Sequence, residues 1–266
     1  MRKMDKRVLA LTAVMALSGY GAFAQNSSES TDQGVHKMNH SNMGDHKMGD
    51  HEMGAMHGSH LMMDEHMGKS SDGAYHHRFD NAEKWAKQFD KPERDAWQKP
   101  DQVIDALKLP KNAVVADVGA GTGYFSARIA KKIPEGKIYS ADIEPDMVRY
   151  LGERAKKEDL NNLSPVQANA TSPNLPEPVD LIMYVDAYHH VGNRSEYFSK
   201  LKNSLKPDGR LVIIDFRADT PDGPPKEHRV AFEKSSDELK NAGYTLVETF
   251  DFLPRQYFAV FKKSAN

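Results

Sequence analysis

The sequence Val114-Val115-Ala116-Asp117-Val118-Gly119-Ala120-Gly121-Thr122-Gly123-Tyr124-Phe125-Ser126 decides the fold class of this chain. Its β-branched apolar residues predict a buried strand, which leads directly into three glycines at alternate positions. A helical pattern of apolar residues starts at Ala127. A strand, a glycine turn and a helix form the first half of a βαβ unit, in which the helix N-terminus directs free backbone N–H groups towards a ligand. We therefore expect an α/β domain that binds a ligand at this turn.

The spacing of the glycines distinguishes between nucleotide-type ligands. A phosphate-binding P-loop requires a Lys after its last glycine, whereas Gly123 is followed by Tyr124. A dinucleotide fingerprint, Gly-x-Gly-x-x-Gly, would need a glycine at position 124 and is excluded as well. The sequence instead has the pattern Asp-x-Gly-x-Gly-x-Gly, in which Asp117 stands two residues before the first glycine. Its carboxylate can accept a hydrogen bond from an amino group, so the turn suits a small zwitterion better than a pyrophosphate.

A second acid follows the next predicted strand. Residues 137–141 form a short strand that ends at Asp142. A carboxylate at this place can accept hydrogen bonds from both hydroxyls of a ribose, and Ile143 beside it can pack on an adenine face. The alternative is that Asp142 only caps the helix predicted over 147–157.

Three polar residues follow a nearly continuous apolar run. Residues 179–185 are almost continuously apolar, which is typical of a strand buried on both faces. Because the carboxyl ends of strands in a doubly wound sheet share one crevice, we expect Asp186, His189 and His190 beside the glycine turn. They are candidates for substrate contact or proton removal, and core packing is the alternative for each His. Of the two, we expect His189 to be the site residue.

Several other elements are predicted from periodicity and turn residues. Helices are expected over 81–89, over 101–107 with Asp101 as the N-cap, and over 196–205, and a strand is expected over 165–168.

The end of the chain predicts an antiparallel hairpin. A turn over 206–209 precedes a strand over 210–214, and a helix is expected over 227–241. Residues 244–250 and 256–261 then alternate between apolar and polar, which indicates two paired strands.

Taken together, the acid–glycine turn, the acid after strand two and the His-His pair after strand four resemble class I S-adenosylmethionine (SAM)-dependent methyltransferases. The resemblance covers residues 95–262 and includes LKPDGRLVIID at 205–215 and the terminal hairpin, which dinucleotide dehydrogenases normally lack. It implies an α/β fold: a doubly wound, seven-stranded, mostly parallel sheet with a C-terminal antiparallel hairpin. It also implies that SAM is the cofactor and that its methyl group passes to a small-molecule acceptor, largely through positioning.

The resemblance also assigns roles to individual residues. Asn169 stands where the family usually carries an acid for the adenine amino group, and its side-chain carbonyl can accept the same hydrogen bond. The segment before the turn often covers the cofactor in this family, so Trp97 and Gln98 are candidates for a lid, with core packing as the alternative for Trp97. The implied catalytic candidates are His189, His190 and Asp186. The implied SAM contacts are Asp117, Gly119, Ala120, Gly121, Thr122, Gly123, Asp142, Ile143, Asn169, Ala170 and Asp186.

The first 24 residues have the pattern of a secretory signal peptide. Basic residues within 2–7 precede an apolar stretch over 8–17, and Ala22-Phe23-Ala24 forms a small-x-small cleavage site. The apolar stretch is short for a membrane span, although an uncleaved anchor is the alternative. We therefore expect cleavage after Ala24, a periplasmic or secreted location, and no stable membrane insertion after cleavage.

Residues 25–74 contain almost no aliphatic core formers and are predicted to be disordered. The segment is rich in His and Met, with a loose repeat over 43–54. Imidazole suits Cu(II), Ni(II) and Zn(II), and thioether selects Cu(I), so the combination indicates several exchangeable copper sites, with a solvated linker as the alternative. The candidate ligands are His36, His40, His46, His51, His57, His60 and His66, with Met38, Met43, Met48 and Met53, and further methionines at Met56, Met62, Met63 and Met67.

The composition excludes several kinds of site and argues against one class of partner. The chain has no Cys, which excludes disulfides, thiolate metal sites and a Cys nucleophile. After removal of 1–24, 32 basic and 37 acidic residues remain, a net charge of −5 that argues against nucleic acid as a partner.

The folded domain is expected over 75–266. Export conflicts with the cytosolic origin of SAM, so a periplasmic copper-binding protein with a methyltransferase fold and no turnover is the rival hypothesis.

Overall fold

The computed structural model describes residues 78–221 and 223–265. The predicted signal peptide, the segment over 25–74 and all candidate copper ligands lie outside the described residues.

The described residues form seven strands and seven α-helices that alternate over the central part of the chain. The strands are β1 Val114–Val118, β2 Lys137–Asp142, β3 Leu163–Gln167, β4 Val179–Val185, β5 Leu205–Phe216, β6 Tyr244–Phe250 and β7 Gln256–Lys263. The helices are α1 Ala82–Phe89, α2 Glu93–Gln98, α3 Pro100–Ala106, α4 Tyr124–Lys132, α5 Pro145–Lys157, α6 Arg194–Leu201 and α7 Phe232–Asn241.

The strands form one sheet in the order β3-β2-β1-β4-β5-β7-β6. The five strands from β3 to β5 pair in parallel, whereas β7 is antiparallel to both β5 and β6. This is the predicted α/β fold: a doubly wound, mostly parallel sheet with a C-terminal antiparallel hairpin. The strand order reverses between β1 and β4, and ligands of such sheets bind in the crevice at this switch point.

Both faces of the sheet are covered, which explains the apolar run of β4. From Leu181 onwards, alternate residues of β4 belong to two separate core clusters: Ile182 and Tyr184 pack on one face, and Leu181, Met183 and Val185 pack on the other. A strand buried in this way has little reason to alternate between polar and apolar residues.

Several predicted boundaries are wrong, each for a local reason. Asp101 is not the N-cap of α3, because the helix begins at Pro100, whose fixed φ suits the first helical turn, after Lys99 in a left-handed conformation. The helix predicted over 196–205 begins at Arg194 and ends at Leu201.

Two further differences lie after β4. The predicted turn over 206–209 is part of β5, where the pairing register shifts because Val179 pairs with Leu205 while Leu181 pairs with Arg210. The turn residues therefore form a bulge in the strand rather than a separate connection. The helix predicted over 227–241 begins only at Phe232.

No helix within the described part of the chain is long and apolar enough to cross a membrane.

Candidate active site

The glycine turn has a backbone that requires glycine. Gly119, Gly121 and Gly123 have φ angles of +74°, +55° and +86°, all in the left-handed region. A Cβ on Gly119 would lie 2.6 Å from the Cβ of Ala187, and a Cβ on Gly123 would lie 2.7 Å from Cδ2 of Leu151. Helix α4 begins at the residue after Gly123, which places its unpaired N–H groups at the end of the turn.

Asp117 is a buried acid at the end of β1. Its side chain is 3% exposed, and its Oδ2 accepts a hydrogen bond of 2.7 Å from the hydroxyl of Ser126, which in turn accepts one of 2.8 Å from Ser140. Burial raises the pKa of Asp117 to about 6, against the opposing effects of Ser126 and the positive charge of Arg94. A cationic group arriving beside this carboxylate would be stabilised by it.

Asp142 connects the end of β2 to the glycine turn. Its Oδ2 accepts the backbone N–H of Gly121 at 2.8 Å, and its Oδ1 accepts that of Glu144 at 2.9 Å. Burial raises the pKa of Asp142, and these two hydrogen bonds oppose the rise. Each carboxylate oxygen has a second lone pair, so Asp142 can still accept hydroxyl groups. Next to it, the Ile143 side chain is 54% exposed, an apolar surface that a planar ring could cover.

Asp186 stands directly after β4 in an unusual conformation. Its φ of +55° is left-handed, which Asp tolerates better than most residues and which recurs at functional sites. Its carboxylate accepts hydrogen bonds from the amides of Gln98, at 3.0 Å, and Gln256, and lies 3.6 Å from the guanidinium of Arg94. Removal from water raises the pKa of Asp186 to about 6, and the charge of Arg94 opposes this.

The two histidines have different surroundings. His189 is 4% exposed, and its Nδ1 lies 2.9 Å from Oδ1 of Asp215, near the end of β5. The same carboxylate accepts the backbone N–H of His189 and that of Phe216. Burial alone would lower the pKa of His189, but the charge of Asp215 and its hydrogen bond outweigh this and raise it. His190 is only partly buried, and its ring packs 4.2 Å from that of His189 and 5.9 Å from that of Phe79.

Residues 78–99, which we call the strap, lie against the glycine turn. Ring atoms of Phe89 lie 3.5 Å from where a Cβ of Gly121 would be. Asp90 accepts a hydrogen bond of 3.2 Å from the hydroxyl of Thr122. The strap therefore contacts the turn directly, and its Gln98 reaches Asp186 on the neighbouring strand end.

The remaining predicted site residues lie at the margin of the crevice. Asn169 and Ala170 are exposed in the loop after β3, and the side-chain oxygen of Asn169 accepts both the N–H and the hydroxyl of Thr171 at 2.9 Å. Trp97 is partly buried and packs on Phe216 at 5.8 Å between ring centroids. The roles proposed for these residues stay predictions.

Arg94, Asp215 and Gln256 contact predicted site residues but were not assigned a role from the sequence. Asp215 could have been found, because the sequence places it directly after a predicted parallel strand, over 210–214, just as it places Asp142 and Asp186. Arg94 and Gln98 share a helix face at i,i+4 spacing, yet nothing in the sequence indicates which face of this helix meets the sheet. Among the described residues, no cluster of three or more acidic or His side chains is arranged to hold a metal ion.

The chain is similar in sequence to known methyltransferases. A family model described as a methyltransferase domain matches residues 109–252. Demethylmenaquinone methyltransferase of Listeria monocytogenes is 31% identical over 123 residues, which are 45% of this chain and 50% of that protein. The ubiquinone/menaquinone biosynthesis C-methyltransferase of Pasteurella multocida is 29% identical over 116 residues, which are 42% of this chain and 43% of that protein. The chain thus spans about half the length of these relatives.

Solved structures share the fold. A SAM-dependent methyltransferase from Aquifex aeolicus matches with a TM-score of 0.63 and 25% identity, over 68% of this chain and 97% of that one. The magnesium protoporphyrin IX methyltransferase of Synechocystis, solved with bound SAM, matches with a TM-score of 0.51 and 19% identity, over 64% of this chain and 80% of that one.

Proposed function

This chain belongs to the methyltransferase-domain family of SAM-dependent enzymes, and we propose that it methylates a small hydroxylated aromatic ring of the quinol class. The observation that carries the proposal is the buried His189–Asp215 pair, which follows Asp186 at the crevice where the strand order reverses. Support for the acceptor class comes from the relatives named above, which methylate quinones or their precursors by name.

The residues of the turn fit SAM. The three left-handed glycines form the turn that ends at the N-terminus of α4, where backbone N–H groups can donate to a ligand. Asp142 offers acceptor oxygens for two ribose hydroxyls, Ile143 offers an exposed apolar surface for the adenine, and Asp117 offers a buried carboxylate for the ammonium group. When bound, SAM supplies a methyl group on a positively charged sulfur, which is a good leaving group.

The chain's own residues would position the acceptor and take up its proton. A carboxylate beside Nδ1 of His189 favours the tautomer with the hydrogen on Nδ1, which makes Nε2 the accepting nitrogen. An acceptor hydroxyl that gives its proton to Nε2 becomes a phenolate, whose negative charge is shared with the neighbouring ring carbon and makes that carbon the nucleophile for methyl transfer. The hydrogen on that carbon then leaves as a proton, which restores the aromatic ring, and Asp215 stabilises the imidazolium of His189.

The experiment is methyl transfer from radiolabelled SAM to reduced naphthoquinols. We expect label in a naphthoquinol whose ring position next to the hydroxyl is unsubstituted, and none in the matched compound that already carries a methyl there. Transfer should fall by about 100-fold or more in His189→Gln, within the range for a lost general base. Transfer that is equal in the variant and the wild-type protein would remove His189 from the mechanism. Label in neither compound would refute the quinol class.

A second function is supported by the His/Met-rich segment. We propose that the chain is exported after cleavage at Ala24, to the periplasm or the exterior, and that the segment from His36 to Met67 binds several copper ions there. SAM, or a relative of it, must then reach the exported domain. If it does not, the rival hypothesis holds and the protein binds copper without turnover.

A further inference from the structure

Arg94 places a positive charge beside the glycine turn. It belongs to α2 of the strap, and its side chain is only 15% exposed. Its guanidinium lies 4.0 Å from the ring centroid of Tyr124, the residue that immediately follows the turn. A buried cation in a crevice lined by acids needs a functional explanation, because burial of a charge is costly unless it is paired.

The contacts of Arg94 orient its guanidinium without forming a tight ion pair. Its Nη1 donates to the backbone oxygen of Phe89 at 2.8 Å, and its Nε donates to the side-chain oxygen of Gln98. Its Nη2 lies 3.6 Å from Oδ2 of Asp186, which is beyond hydrogen-bond distance. The two neutral contacts come from the strap itself. They fix the orientation of the planar guanidinium, while its positive charge acts on groups across the crevice.

Arg94 and Asp117 form a charge pattern that matches an amino acid. The guanidinium of Arg94 packs on the ring of Tyr124, and the carboxylate of Asp117 accepts the hydroxyl of Ser126, so both charged groups contact the first turn of α4. The methionine part of SAM carries an ammonium and a carboxylate on one carbon, so its site needs an anion and a cation side by side. The turn itself contributes no cationic side chain, whereas a guanidinium can bind a carboxylate with two parallel hydrogen bonds.

We propose that Arg94 binds the α-carboxylate of SAM while Asp117 binds the α-ammonium, so that the strap recognises the amino-acid end of the cofactor. This rests on the proposal that the turn at Gly119 to Gly123 binds SAM. The proposal makes Arg94 a specificity-determining residue. Adenosine compounds without a carboxylate would still bind the turn and the acids, but they would lack the contact with Arg94 and would bind more weakly.

The test is calorimetric titration of the purified protein with SAM and with decarboxylated SAM, which keeps the ammonium and the sulfonium. We expect wild-type protein to bind SAM about 10- to 100-fold more tightly than decarboxylated SAM, the range for one charge-assisted interaction. Arg94→Gln should lose that preference, with SAM affinity falling to the level of decarboxylated SAM and the latter changing little. Arg94→Lys, which keeps the charge without the fork, should retain only part of the preference.

Arg128 provides a matched control. Its guanidinium also packs on the Tyr124 ring, at 4.1 Å from the centroid, but it is 30% exposed and pairs with Asp95. Arg128→Gln should therefore keep the full preference for SAM.

Three outcomes would overturn the assignment. The first is wild-type protein that binds both ligands equally, a result that does not depend on any variant folding. The second is Arg94→Gln that keeps its preference for SAM. The third is Arg94→Gln that loses affinity for both ligands equally, together with a lower melting temperature, because Arg94 would then only be a counter-ion for Asp186. If wild-type protein binds neither ligand, the proposed SAM site fails and the assignment fails with it.

Discussion

Asp117, the proposed partner of the SAM ammonium group, carries a cost in stability. Its pKa is raised from the usual value near 4 to about 6, because burial disfavours the charged form. An acid whose pKa is raised in the folded state destabilises the fold once it ionises. The cost is absent below about pH 4, grows between pH 4 and 6, and is fully present above pH 6.

Asp117→Asn should therefore raise the free energy of unfolding at pH 8 by about 2–3 kcal/mol, the value of a pKa change of this size, and change it little at pH 4. The amide can still accept the hydrogen bond from Ser126, so the fold should be kept. The same variant should bind SAM more weakly. Denaturant titrations at the two pH values check this, and equal effects at both would show that the carboxylate is not ionising as described.

Two backbone N–H groups donate hydrogen bonds to the carboxylate oxygens of Asp142. Asp142→Ala removes the proposed partner of two ribose hydroxyls, and we expect SAM affinity to fall by about 2–4 kcal/mol. Calorimetry measures this, with Asp105→Asn, an exposed acid paired with Lys132, as the control. Unchanged affinity in Asp142→Ala would refute the ribose assignment.

At the scale of single residues, the places of the acids and glycines at strand ends and in the turn could be predicted because they occupy fixed positions along the chain, whereas their roles stay predictions. Gly119, Gly121 and Gly123 have left-handed conformations, which glycine adopts without strain. Arg94 could not be predicted, because its contact with Tyr124 joins two elements through tertiary packing.

At the scale of elements, the strap is held mainly by polar contacts. Arg78 pairs with Glu144 at 3.1 Å, the backbone N–H of Ala82 donates to Asp146 at 2.7 Å, and Arg154 lies 3.2 Å from Asp90. Exposed ion pairs of this kind contribute little to stability. We therefore expect the strap to open without unfolding of the sheet.

We expect backbone amides of α1 and α2 to exchange hydrogen faster than those of α4 in the free protein, and SAM to slow the exchange in α1 and α2. Helix α7, which packs on β6 away from the strap, serves as the control. Exchange in the strap that is as slow as in α4, and that SAM does not change, would show that this segment is a fixed part of the domain.

The presence and type of elements with strong sequence patterns were predicted more accurately than the residues at which elements begin and end. The bounds of β4 and β6 agree with the structure, because continuous burial or alternation specifies a strand. The start of α7 was predicted five residues too early, at 227 instead of Phe232, because the preceding residues form a short 3₁₀ turn whose composition is equally helical. Helix ends depend on local hydrogen bonds that periodicity does not reveal.

At the scale of the whole molecule, the His/Met-rich segment and the folded domain are predicted to act independently. Deletion of residues 25–74 should abolish most copper binding, since the candidate ligands lie there, and should leave the melting temperature of the domain nearly unchanged. Metal analysis after dialysis and thermal unfolding check the two parts. Equal copper uptake by the shortened protein would refute the copper proposal.

The central claim is that the acid–glycine turn binds SAM. The most direct measurement is calorimetric titration of the purified wild-type protein with SAM, with NAD as the matched dinucleotide control. We expect saturable binding of one SAM per chain and no binding of NAD, because Tyr124 stands where the dinucleotide fingerprint needs its third glycine. Saturable binding of NAD, or the absence of SAM binding at millimolar concentration, would contradict the account.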